Sequence, residues 1–84
     1  MPVSAKVELF HRVADPASAA ARRKLVELGL EARVSFRNVH FEVHEQALAA
    51  LGGGEVPAVW DGTTLEMGAE SVIRRLEALA REPT

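Results

Sequence analysis

Eighty-four residues carry ten Lys and Arg against twelve Asp and Glu, three His and no Cys, for a formal charge of −2. That length suits a single domain over 1–84 with one core, and a 48% hydrophobic content excludes a disordered chain. The near-balanced charge offers no electrostatic footprint for nucleic acid or an anionic membrane, and the missing cysteine removes disulfides, thiolate metal sites and thiol catalysis from the chain itself.

In chain order, Lys6 to Phe10 reads as a short β-strand. Asp15-Pro16 then reads as a helix entrance, because an aspartate side chain accepts orphan backbone N–H bonds and a proline at the first helical position has its φ preset. The helix runs to Gly29, with Ala21, Leu25 and Leu28 on one face and Arg22, Arg23, Lys24 and Glu27 turned mostly to solvent. Arg33 to Val39 alternates apolar and polar residues at period two, so Val34 and Phe36 are expected to point inward. Glu45 to Leu51 is a short helix, and Gly52-Gly53-Gly54 a flexible connector. Val56 to Trp60 and Thr63 to Met67 flank Asp61-Gly62, a hairpin signal that makes strands three and four antiparallel neighbours. After Gly68 a last helix places Val72, Ile73, Leu76, Leu79 and Ala80 on one face, with Pro83 and Thr84 beyond its end.

The order βαβαββα predicts an α/β domain with a mixed four-stranded sheet, strand order 2-1-3-4, an antiparallel fourth strand at one edge, and helices on both faces. Phe10 and Phe36 read as core, and Trp60 as packing beside the hairpin. The apolar stretches are interrupted every few residues, which leaves no transmembrane span, and Met1 to Lys6 lacks the layout of a signal peptide, so the expected compartment is the cytoplasm. His40 and His44 share a face only inside a helix, and the passage between them reads as strand-to-helix, so no metal site is expected from them or from His11. Gly52-Gly53-Gly54 precedes a strand and lacks the lysine of a phosphate-binding loop.

Four local features, taken in this order, resemble the thioredoxin fold in its glutaredoxin form, which is also the amino-terminal domain of glutathione transferases. Leu9 to Ser18 stands where glutaredoxins carry a strand, a basic residue and a Cys-Pro-x-Cys motif, with Asp15 and Ser18 at the cysteine positions. Val56-Pro57 matches the Val-Pro that opens the third strand with a cis proline, Asp61-Gly62 matches the hairpin turn, and Gly68-Ala69-Glu70-Ser71 matches the start of the last helix, with Glu70-Ser71 nearer the transferase pattern.

The resemblance implies a glutathione site in which Arg12 meets a carboxylate, the Val56 backbone beside Pro57 pairs with the cysteinyl part as one extra sheet rung, and Glu70 and Ser71 hold the γ-glutamyl end near a helix N-terminus. It implies no catalytic residue, since Ser18 cannot replace a thiol without a dedicated base. Each residue also has a plainer role: Asp15 as a helix cap, Ser18 as a solvated first-turn residue, Arg12 as a loop cation, Glu70 and Ser71 as a cap. The expectation is a redox-inactive binding module for glutathione, a peptide or a protein partner, monomeric or weakly dimeric, with no cofactor required. The alternatives are a transferase-like enzyme, for which the chain offers Ser18 but no Tyr, and a purely structural or regulatory domain. A carboxylate at Asp15 argues against the transferase, because a negative charge beside a bound thiol raises its pKa.

Overall fold

The computed structural model describes residues 7–82; Lys6, the expected first residue of the opening strand, and both chain ends lie outside them. Its elements run β1 (Val7–His11), α1 (Pro16–Glu27), β2 (Val34–Asn38), α2 (Glu42–Ala50), β3 (Ala58–Trp60), β4 (Leu65–Met67) and α3 (Ala69–Ala80). The sheet order is β2-β1-β3-β4, with β1 parallel to β2 and antiparallel to β3, and β3 antiparallel to β4. This is the expected topology of the thioredoxin fold, with β1 and β3 in the centre.

The ends of α1 follow from its sequence. Asp15 is the N-cap, its Oδ2 accepting the Ser18 N–H at 2.8 Å, and Pro16 opens the helix. At the other end Gly29 takes φ 68°, donating to the Val26 carbonyl while Leu30 donates to that of Leu25. This Schellman arrangement needs a residue that tolerates positive φ, and it folds Leu30 back onto Leu25 in the core.

The pleat sends alternate residues to two different cores. Val7, Leu9, Val34 and Val59 meet α1 and α3 through Ala21, Leu25, Val72 and Leu76. On the other face Phe10 and Ala58 meet α2 through Leu48, with Val39 alongside and Val56, Trp60 and Leu65 at the margin.

Several sequence expectations change. Phe36 shares the face of Val34 but is 42% exposed, because β2 is an edge strand and the helices do not cover its end. Helix α2 begins at Glu42, three residues before the expected Glu45; its N-cap is Phe41, which makes no side-chain cap bond and so gave no capping signal. The hairpin centres on Gly62-Thr63, since Trp60 pairs with Leu65, Asp61 donates its N–H to the Thr64 carbonyl, and Gly62 takes the positive φ of the turn. Ser18 is fully buried, not solvated.

Candidate functional site

The cis Val56-Pro57 bond expected from the motif is present, and Pro57 is buried with its carbonyl accepting the Gly68 N–H at 2.9 Å. This contact ties the approach to β3 to the start of α3. Among the described residues neither the N–H nor the C=O of Val56 has a backbone partner. Beside Val56 lies an open groove of about 470 Å³, walled by α2 through Leu48, by Gly53 to Val56, and by Arg12 from the loop after β1.

Gly53 defines one wall by close approach. A Cβ there would overlap the Leu48 side chain, so the chain leaving α2 passes as close to Leu48 as it does because this position has no side chain. Gly52, at φ 87°, makes the preceding turn, so two of the three consecutive glycines have defined geometric tasks beyond flexibility.

Asp15 and Ser18 brace the loop that presents Arg12. The Arg12 N–H donates to the Ser18 Oγ at 3.1 Å, and the Asp15 N–H donates back to the Arg12 carbonyl at 3.1 Å. Hydrogen bonds from the Ser18 side chain and N–H hold the Asp15 carboxyl below its ordinary value, so it is an ionised cap at neutral pH. Arg22, expected to face solvent, instead donates to the carbonyls of Arg12 and Val13, each at 3.2 Å, and meets the His11 Nδ1 at 3.1 Å.

The sequence-derived site is therefore assembled in part. Arg12 and Val56, forty-four positions apart in the chain, line one groove. Glu70 and Ser71 do not line it: the Glu70 side chain is 91% exposed and faces Arg74 at 3.7 Å, while Ser71 borders a separate depression with Glu66, Arg74 and Arg75. Neither caps α3, whose N-cap is Gly68 with no side-chain bond.

Two carboxylates at the groove gave no signal in the sequence. Glu45 projects from α2, and Glu55 places its Oε2 3.7 Å from where a Cβ on Gly68 would lie, over the start of α3. A helix N-terminus favours an anion, and here the chain's own carboxylate stands near it.

On the same sheet face Arg37 pairs with Glu8, donates to the His44 Nδ1 at 2.7 Å and lies 5.3 Å from the Phe10 ring centre. The face beside the groove is thus closed by a polar cluster whose members satisfy one another. Among the described residues no group of three or more His, Asp or Glu side chains is arranged to hold a metal ion, and no helix is long and apolar enough to cross a membrane. No protein-family model matches the chain, and no curated protein is significantly similar to it.

Proposed function

We propose that this chain is a cysteine-free, redox-silent relative of glutaredoxins whose groove binds an extended peptide segment of a partner protein. The observation that carries the reading is that Val56, whose backbone groups have no backbone partner among the described residues, lines the same groove as Arg12. Two backbone groups so placed pair with an extended chain as one added rung of sheet, and the Arg12 guanidinium supplies a donor for a carbonyl or carboxylate.

Glutathione has the same extended backbone and remains the second reading, supported by the joint placement of Arg12 and Val56. Its two carboxylates would enter a groove that Glu45 and Glu55 line beside Arg12, and Glu55 stands near the α3 N-terminus where the resemblance places the γ-glutamyl end. Like charges weaken binding, so glutathione is expected to bind with a dissociation constant on the order of millimolar.

The test is a titration followed by amide chemical shifts, with reduced glutathione to about 20 mM and, separately, a blocked pentapeptide alternating Ala and Val around one Gln. Arg12, Gly54 and Val56 are expected to move together and more strongly with the peptide. If neither probe moves them in the folded protein, the binding reading is lost and a structural role is the better account. The family placement has its own check. Asp15→Cys with Ser18→Cys is expected to form a reducible disulfide across the first turn of α1, and a folded double variant that forms none contradicts the positional equivalence.

A further inference from the structure

We propose that His11 and Arg22 form an acid-sensitive latch on the loop between β1 and α1, in which the neutral imidazole holds the guanidinium across the Arg12 and Val13 carbonyls and a second proton on the ring releases it.

The geometry fixes the protonation state. A guanidinium can only donate, so the His11 Nδ1 at 3.1 Å from Arg22 must present its lone pair, and the ring hydrogen of the neutral form sits on Nε2. A proton added at Nδ1 replaces that acceptor with a donor aimed at another donor, and it places two positive charges in contact. The Arg22 side chain then has to leave. The same side chain reaches the carbonyls of Arg12 and Val13, so its departure removes two further bonds from the loop.

His11 is 7% exposed at the end of β1, where its ring meets Phe36 of β2 edge-on at 5.5 Å between centres and its carbonyl accepts the Val39 N–H. The charged and titratable groups acting on it are Arg22 from α1 and His44 from α2; β3 contributes no ionisable side chain in Ala58–Trp60. Burial first, then Arg22, then His44, all disfavour the charged ring, and no carboxylate offsets them, so its pKa lies below the ordinary 6.5. With the folded pKa below the unfolded one, the neutral ring stabilises the fold above pH 6.5 and that contribution is lost as pH falls through the folded value. Arg12 lines the groove, so the latch governs whether one of its walls is held, whatever the groove binds.

The test follows the His11 Nδ1 nitrogen shift and the Arg12 and Asp15 amides from about pH 7.5 to about pH 5. The Nδ1 shift at the upper end is expected to be that of an unprotonated ring nitrogen, and the His11 midpoint to lie below 6.5. The two amides should follow that same midpoint, and their exchange, corrected for intrinsic rates, should speed up by roughly fivefold or more. Arg22→Gln should leave both amides fast and without pH dependence near neutrality. An Nδ1 that carries the proton at neutral pH, a midpoint at or above 6.5, or amides that stay unmoved while His11 titrates each overturns the latch. These readings need no ligand, so the latch and the binding reading can fail separately. If Arg22→Gln does not fold, the wild-type measurements still decide the matter.

Discussion

The two faces of the sheet are built to different standards. Among the described residues the face under α1 and α3 gathers ten buried apolar side chains into one cluster, whereas the face under α2 gathers four. One helix of nine residues cannot cover a sheet that two helices of twelve cover from the other side. The shortfall on the α2 side is the groove. In so small a chain the face that leaves a groove open is the one the proposed binding uses, and the opposite face has to supply most of the stability.

The largest effect that sharpens this contrast is a pair of truncations. Leu76→Ala removes a fully buried side chain between α1, α3 and the sheet, and should cost about 3–4 kcal/mol in denaturant unfolding. Leu48→Ala removes an equal volume from the smaller cluster at the groove wall, where fewer buried neighbours surround it, and should cost about 2–3 kcal/mol. Equal losses would erase the distinction between the faces.

The hairpin is fastened to the α3 side by charge. Asp61 accepts from the Thr63 and Thr64 N–H groups and from Arg75 of α3 at 2.8 Å, and its side chain is 16% exposed. Those bonds, the one from Thr64 first, hold its carboxyl far below the ordinary 3.8. A depressed aspartate stabilises the fold above its unfolded pKa, so stability is present above pH 3.8 and falls as pH drops below it. Asp61→Asn should cost about 2 kcal/mol at neutral pH and flatten the acid limb of the stability curve. An unchanged acid limb would show that the hairpin is not fastened this way.

Gly53→Ala acts on the groove side. The added Cβ overlaps the buried Leu48 side chain, which must repack or push the connector away, at about 1–2 kcal/mol, and should shift the Val56 and Ala49 amides. A neutral substitution would mean that this wall is slack. Smallest is Arg12→Ala, which leaves unfolding nearly unchanged and weakens the groove's response to glutathione by about 0.5–1 kcal/mol, read from the titration midpoint. An unchanged midpoint would remove Arg12 from the site.

The better-made face was also the more legible one. Asp15-Pro16 and Gly29 announced both ends of α1 through capping chemistry, and the apolar spacing in α3 announced which face it buries. Val56-Pro57 stood out because proline is unfavourable inside a β-run. Period two placed Phe36 on the correct face, but alternation says nothing about whether a helix reaches that far, and at the edge none does. The groove was half legible: Arg12 and Val56 came from motif positions, while Glu55 and the tasks of Gly52 and Gly53 depend on where the chain leaves α2. Arg22 and Ser18 depart from their sequence expectation for one reason. Local spacing gave them solvent-facing roles, and both bond to a loop six to ten positions back in the chain.

Native-state amide hydrogen exchange tests the asymmetry of the two faces most directly, with the Leu25, Leu76 and Leu48 amides compared under one condition. Leu25 and Leu76 are expected to exchange only through global unfolding, with a denaturant dependence equal to that of the whole protein. Leu48 is expected to exchange at least about tenfold faster, with little denaturant dependence, through local opening of α2. Equal protection at all three positions, with one shared denaturant slope, would contradict the account: the two faces would then be a single cooperative unit, and the groove no looser than the core.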